Sequence, residues 1–83
     1  MIKVLIVDDE ALMRQATSKI VSSLDGFDGS LLACNGQQAV DICKRRDIDI
    51  VFMDIMMPVK DGITASKEIL EISPKTKIFI LSF

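Results

Sequence analysis

The sequence predicts an α/β domain built on a doubly wound parallel sheet, with the element order βαβαβαβ. Short, continuous apolar runs recur along the chain, as is typical of strands buried on both faces of a parallel sheet. Between them lie segments whose apolar residues recur at three- and four-residue spacing, as in helices that cover a sheet. Strands and helices that alternate in this way are joined by right-handed crossovers, so the strands are expected to run parallel.

The composition limits the classes of function. The 83 residues suffice for one small domain, and 49% of them are hydrophobic, enough to fill a core. The formal net charge is −2 and the basic residues are scattered, so binding to nucleic acid is not expected. Cys34 and Cys43 have no metal-like spacing and no histidine to join them, and they are interpreted as buried thiols of a cytoplasmic protein. No signal sequence or membrane segment is predicted.

The first strand and helix are predicted near the N-terminus. Residues 4–7 are an apolar, largely β-branched run, and three consecutive acids, residues 8–10, follow it. An amphipathic helix is predicted over residues 11–24, and the acids suit its positive N-terminal end. A glycine-containing loop, residues 25–29, ends this helix. The apolar side of the helix carries Met13, Ala16, Ile20 and Leu24.

The second strand and helix are predicted in the middle of the chain. Residues 30–34 read as a weaker strand, at an edge of the sheet. Asn35 resembles the N-cap of a helix, and Gln38 is placed to reach back to it in a capping box. Basic residues 44–46 close this helix, where cations suit its C-terminal end. Its buried residues are predicted to be Ala39, Val40 and Cys43.

The third predicted strand carries the residue around which the chain is organised. The apolar run over residues 48–53 leads directly into Asp54, and Pro58 prevents the strand from continuing smoothly. The first strand ends in carboxylates in the same way, at Asp8 and Asp9. Ligands of open parallel sheets bind outside the carboxyl ends of the strands, where the strand order reverses. We therefore expect these three carboxylates to share one crevice.

The last two elements are a helix and a strand. Asp61-Gly62 provides a turn into a third helix, and residues 73–75 break it. Lys77–Leu81 is the fourth predicted strand, and Ser82 lies at its carboxyl end. The inward side of the third helix is predicted to carry Ile63, Ile69 and Leu70.

Three carboxylates in one crevice suggest a specific chemistry. They repel one another, so either some stay protonated or a cation joins them. Oxygen ligands without imidazole or thiolate favour Mg²⁺. A carboxylate can also attack phosphorus and form an aspartyl-phosphate, while the metal offsets the charge of the incoming group. Any one of these acids alone is better explained as a helix-capping or turn residue, so the prediction depends on their combination.

Four motifs lie at the ends of the predicted elements. They are Asp8-Asp9-Glu10, Asn35-Gly36-x-x-Ala39, Asp54-x-x-Met57-Pro58-x-x-Asp61-Gly62 and Ile80-Leu81-Ser82. Together they cover the chain in register, and they resemble the receiver domains of two-component response regulators. Residues 1–83 are accordingly interpreted as a partial receiver domain, with a flavodoxin-like fold that lacks its last strand and helices.

The resemblance implies a role in a phosphorelay. Asp54 would take a phosphoryl group from a phosphohistidine on a sensor histidine kinase. Asp8 and Asp9 would hold Mg²⁺ together with Asp54 and the backbone carbonyl of Met56. Ser82 would be the switch hydroxyl that follows the phosphoryl group. The domain would be a cytoplasmic signalling switch and not an enzyme, and its parent protein could regulate transcription.

The chain also departs from the family pattern. Family members usually continue into a fifth strand that ends in a lysine, which forms an ion pair with the phosphoryl group, and no residue here matches that lysine. A phosphorylation-independent interaction module is therefore an alternative. A Mg²⁺-dependent aspartyl phosphatase is a third hypothesis, but Asp8-Asp9-Glu10-Ala11 lacks the hydroxyl residue that normally follows the acids of such an enzyme. The apolar edge of the fourth strand predicts self-association through that strand.

Overall fold

The computed structural model describes residues 1–81, which form four strands and three helices in the predicted order. The strands form one parallel sheet with the order β2-β1-β3-β4, so β1 and β3 are its central strands. The predicted α/β architecture is thereby confirmed, as is the edge position of the second strand. The elements are β1 (Ile2–Val7), α1 (Ala11–Ser22), β2 (Phe27–Ala33), α2 (Gly36–Arg45), β3 (Ile50–Asp54), α3 (Gly62–Ile72) and β4 (Lys77–Leu81).

The central strands are buried on both faces, as their continuous apolar runs predict. On one face, Leu5 and Val7 of β1 pack in a core cluster with Val51 and Met53 of β3, under α2 and α3. On the other face, Val4 and Ile6 of β1 pack in a smaller cluster with Val21 of α1. In the described part of the chain, two helices therefore cover one face of the sheet and one helix covers the other.

Helix α2 packs as the sequence predicts. Ala39, Val40 and Cys43 are buried, and burial raises the pKa of the Cys43 thiol to about 11. The thiol therefore stays protonated at neutral pH, as expected for a structural cysteine. The cap differs in one detail: the Asn35 side chain accepts a hydrogen bond from the Gln38 N–H, but the Gln38 side chain reaches the Cys34 N–H, one residue before the cap.

Helix α3 corrects the predicted inward residues. Ile69 is fully buried, but Ile63 and Leu70 are 45% and 44% exposed. The helix instead approaches the sheet and α2 through two small residues, Gly62 and Ala65. Because small side chains allow a close approach, the neighbouring large residues are turned toward the surface.

Helix α1 packs with a different side from the one its apolar spacing indicates. Its only buried residue is Val21, and Ser18 of α1 makes a 2.6 Å hydroxyl–hydroxyl hydrogen bond to Ser30 of β2. Ile20, on the apolar side, is 65% exposed. The helix contacts β1 and β2. Its apolar side therefore faces away from the half of the sheet that it covers.

The other half of this sheet face carries aromatic side chains. Phe52 of β3 and Phe79 of β4 stack, with ring centroids 5.7 Å apart and an interplanar angle of 26°. Phe79 is still 52% exposed, because α1 lies over the opposite half of the sheet. The edge strand β4 thus presents apolar surface. Within residues 1–81, no helix is long and apolar enough to span a membrane.

The start of α3 is held tightly against the end of β3. The Gly62 N–H donates a 2.8 Å hydrogen bond to the Ile55 carbonyl. A Cβ atom at position 62 would overlap the backbone carbonyl of Asp54. Gly62 is therefore required by the close approach of two backbone segments, not by its own dihedral angles.

Substitution of Gly62 by alanine should destabilise the fold. The added methyl forces the end of β3 and the first turn of α3 apart, and we expect the free energy of unfolding to fall by about 1–3 kcal/mol. Urea unfolding measures the change. Lys67→Ala, on the exposed side of the same helix, is the matched control and should stay within about 0.5 kcal/mol of the wild type. An equal decrease of the free energy of unfolding in the two variants would contradict this explanation of Gly62.

Candidate functional site

The parallel pairing of β1 with β3 brings the predicted carboxylates together. Val7 pairs with Met53, so Asp8 and Asp54 are the next residues of two neighbouring strands. One carboxylate oxygen each from Asp8, Asp9 and Asp54 lies within 4.8 Å of the others. The structure therefore places the three predicted acids in one cluster, at the carboxyl ends of the central strands.

Backbone and side-chain hydrogen bonds hold Asp8 in position. One oxygen of its carboxylate accepts a 2.9 Å hydrogen bond from the Glu10 N–H. Its own N–H donates to the Ala33 carbonyl of β2, and its carbonyl accepts a 2.8 Å hydrogen bond from the Arg14 guanidinium of α1. The N-cap of α1 is Glu10 and no side chain caps this helix, so Asp8 is not a helix-capping residue. Its hydrogen bond to the Glu10 N–H closes a local turn. This turn orients the carboxylate that reaches Asp54.

The electrostatic environment of Asp54 disfavours its charged form. Partial burial raises the pKa of the Asp54 carboxyl, and the negative charge of Asp8 raises it further, with a smaller effect from Asp9. Hydrogen bonds from the Ile55 and Met56 N–H groups act in the opposite direction. The net shift is upward, so a bound cation would relieve a repulsion that is built into the cluster.

The cluster lies on the wall of an open crevice of about 730 Å³. Met56 is 83% exposed at the edge of this crevice, whereas Met53 is fully buried in the core. Met53 and Met56 therefore do not act as a group. The crevice is lined by Asp8, Asp9, Glu10, Met13, Asp54, Ile55 and Met56.

The loop from β3 to α3 is fixed by contacts that sequence reasoning missed. The Gly36 N–H donates to the Lys60 carbonyl, and a Cβ at position 36 would overlap that carbonyl. The Lys60 side chain forms an ion pair with Glu68 of α3. The close backbone contacts could have been suspected from the glycines of the Asn35-Gly36 and Asp61-Gly62 motifs. The ion pair could not, because its two residues are eight positions apart and share no sequence motif. Ser82, the predicted switch hydroxyl, lies outside the described residues.

Comparison with known families decides the classification of the chain. Residues 4–83 match the family described as the response regulator receiver domain. The chain belongs to this family. It is 45% identical over 80 residues to the chemotaxis protein CheY of Thermotoga maritima, covering 96% of this chain and 66% of that protein. It is 44% identical over 81 residues to a protein-glutamate methylesterase/protein-glutamine glutaminase of Vibrio parahaemolyticus, covering 98% of this chain but 22% of that protein.

Solved receiver structures have the same fold as this receiver domain. The response regulator domain of Thermotoga maritima CheB matches with a TM-score of 0.90 and 34% identity, over 96% of this chain and 59% of that one. CheY in the CheX-CheY-BeF₃-Mg²⁺ complex of Borrelia burgdorferi matches with a TM-score of 0.88 and 36% identity, over 95% and 60%. The receiver chain thus spans about 60% of each of these structures.

Asp61 caps α3 next to the site. Its carboxylate accepts a 2.8 Å hydrogen bond from the Thr64 N–H and a 3.0 Å hydrogen bond from the Thr64 hydroxyl. These bonds lower the pKa of the Asp61 carboxyl below its ordinary value of 3.8. The folded state therefore favours the ionised form of the Asp61 carboxyl.

Asp61→Asn should remove a pH-dependent part of the stability. Because the folded-state pKa is lowered, the contribution of the Asp61 charge is complete above pH 3.8 and is lost as the pH falls through the lowered value. Urea unfolding from about pH 6 to about pH 3 should show the wild-type advantage over Asp61→Asn shrinking toward the acid end. Thr64→Val keeps the N–H and loses the hydroxyl, so it should show a weaker pH dependence than the wild type. A difference between wild type and Asp61→Asn that is constant over this range would contradict the prediction.

Proposed function

We propose that this receiver domain accepts a phosphoryl group on Asp54 from a phosphohistidine of a sensor histidine kinase, as a step of two-component signalling. The observation that carries the proposal is the cluster of three carboxylate oxygens within 4.8 Å at the ends of β1 and β3. The match of residues 4–83 to the receiver domain family supports the same role.

The carboxylate cluster suits Mg²⁺. The ion binds oxygen ligands at short distance in octahedral geometry, so neighbouring or opposite ligands lie roughly 3 to 4 Å apart. Oxygens already within 4.8 Å of one another need only small rotations to reach this spacing. We assign Asp8, Asp9, Asp54 and the Met56 carbonyl as the ligands. When bound, Mg²⁺ supplies positive charge that offsets the negative charge of an incoming phosphoryl group.

The residues of the chain then perform a simple displacement. A carboxylate oxygen of Asp54 attacks the phosphorus atom of the phosphohistidine, a P–O bond forms, and the P–N bond to the imidazole breaks. The imidazole leaves with the electron pair of that bond and takes up a proton. The pairing of β3 with β1 places the attacking carboxylate beside Asp8 and Asp9. Ser82 is proposed as the hydroxyl that then binds a phosphoryl oxygen.

The proposal assigns a phosphoacceptor and not an enzyme. The esterase and glutaminase activities named for some relatives belong to proteins of which this chain spans about one fifth. CheY in the matched Borrelia burgdorferi complex is named with BeF₃ and Mg²⁺, which supports a receiver that binds both a phosphoryl group and the metal. We infer that residues 1–83 correspond to the first part of a receiver domain, in a cytoplasmic signalling protein.

Labelling with a small phosphodonor tests the proposed phosphoacceptor. Incubation with acetyl phosphate and Mg²⁺ should add one phosphoryl group to Asp54, detected as a mass increase that hydroxylamine reverses. Asp54→Asn and removal of Mg²⁺ with EDTA should each abolish the label. Asp47→Asn, an exposed acid at the other end of β3, should be labelled like the wild type.

Two results would contradict the proposal. The first is no label on the wild type, which would favour the phosphorylation-independent interaction module. The second is a label that persists in Asp54→Asn, which would place the phosphoacceptor elsewhere.

A further inference from the structure

Arg14 of α1 makes a contact with the carboxylate cluster that the proposed displacement does not use. From the first turn of the helix, its guanidinium donates a 2.8 Å hydrogen bond to the Asp8 carbonyl. The side chain of Arg14 is partly buried. No basic residue is among the described residues that line the acidic crevice. Arg14 therefore acts on the cluster through its backbone and not from inside the crevice.

We propose that Arg14 is a positioning residue of the Mg²⁺ site: it holds the peptide plane between Asp8 and Asp9, and this plane aims the Asp9 carboxylate at the ion. The effect on the ion rests on the proposed function. The hold of Arg14 on the peptide plane is a property of the ion-free fold, so it can be measured separately.

The contact of Arg14 differs from the one that its charge favours. A guanidinium can bind a carboxylate through two parallel hydrogen bonds, and three carboxylates lie at this end of the sheet. Within residues 1–81, however, Arg14 forms no ion pair with any of them. It binds a backbone carbonyl instead. The contact thus fixes the direction of the main chain and does not neutralise an acid.

Asp9 is the member of the cluster that needs such support. Its side chain is exposed, and its carboxylate accepts no hydrogen bond in the described part of the chain. Asp8, by contrast, has its carboxylate held by the Glu10 N–H and its own N–H held by β2. Yet a carboxylate oxygen of Asp9 lies within 4.8 Å of those of Asp8 and Asp54. The position of the Asp9 carboxylate is therefore set by its main chain.

The hydrogen bond from Arg14 controls that main chain. A peptide unit is planar, so the direction of the Asp8 carbonyl also sets the direction of the Asp9 N–H. The Asp8 N–H is anchored to β2 before this unit, and the turn from Asp8 to the Glu10 N–H closes after it. Rotation of the unit between these two anchors would redirect the Asp9 side chain. Arg14 opposes this rotation, because the rotation would break a charged hydrogen bond to the carbonyl.

The charge of Arg14 and its positioning role have opposite effects on Mg²⁺ binding. A positive charge near a metal site repels the ion, so removal of the charge alone would strengthen binding. Removal of a residue that orients a metal ligand weakens binding, by roughly 10- to 100-fold. The direction of the change in Mg²⁺ affinity therefore separates the two roles.

Amide NMR of the ion-free protein tests the hold on the peptide plane. Arg14→Met keeps much of the apolar stem and loses the donor. We expect the order parameter of the Asp9 amide to fall from roughly 0.85, as in rigid backbone, toward about 0.6. Arg45→Met is the matched control, because Arg45 also donates to a backbone carbonyl but lies at the C-terminal end of α2; it should leave Asp9 unchanged. The same Asp9 order parameter in wild type and Arg14→Met would overturn the proposal.

Isothermal titration with Mg²⁺ tests the effect on the site. Arg14→Met should bind Mg²⁺ about tenfold more weakly than the wild type. Arg14→Lys, which keeps a donor and the charge, should recover part of this loss, and Arg45→Met should bind like the wild type. Urea unfolding of each variant shows that the titrated protein is folded, since lower stability alone leaves the affinity of the folded chain unchanged.

The outcomes of the titration distinguish this inference from the proposed function. Unchanged or tighter Mg²⁺ binding by Arg14→Met would overturn the positioning role. A wild type that binds no Mg²⁺ would instead overturn the metal site of the proposed function. The amide measurement would then decide by itself whether Arg14 holds the peptide plane between Asp8 and Asp9.

Discussion

The site depends on the parallel pairing of β1 with β3. This pairing aligns Val7 with Met53, so the residues that follow them, Asp8 and Asp54, leave the sheet side by side. The strands are buried on both faces, and a shift of one residue would turn every core side chain to the wrong face. The register that packs the core therefore also sets the distance between the carboxylates. Packing energy holds together three acids that would otherwise repel one another.

Two glycines couple this site to the helices. Gly62 lets the first turn of α3 contact the backbone of Asp54, and Gly36 lets α2 contact the carbonyl of Lys60 in the following loop. The loop that leaves Asp54 is thus held by the N-terminal ends of two helices, on the α2 and α3 side of the sheet. The α1 side is covered less completely, and its open half carries the Phe52–Phe79 stack. Within residues 1–81, the loop after Asp54 is therefore closely packed, whereas the Phe79 side chain of β4 stays accessible.

The element order and the acidic cluster were predictable from the sequence, because buried parallel strands are continuous apolar runs and their carboxyl ends meet at one edge. The orientation of two helices, α1 and α3, was not predictable in this way. The spacing of Ile20 suggests an inward side for α1, yet Val21 is the buried residue. In α3, Ile63 is exposed because small residues make the contact with the sheet. Periodicity identifies an amphipathic helix. Which side of the helix is buried depends on how much of the sheet the helix covers and on which of its residues allow a close approach. Neither of these can be read from the local sequence.

Binding of Mg²⁺ to paired variants tests most directly whether the ends of β1 and β3 form one site. Isothermal titration of the wild type should show a single Mg²⁺ site. Asp8→Asn and Asp54→Asn, which change different strands, should each remove most of the affinity, whereas Asp47→Asn should bind like the wild type. If one of the two site variants lost the ion while the other retained wild-type affinity, the two strand ends would not share it, and the account would be contradicted.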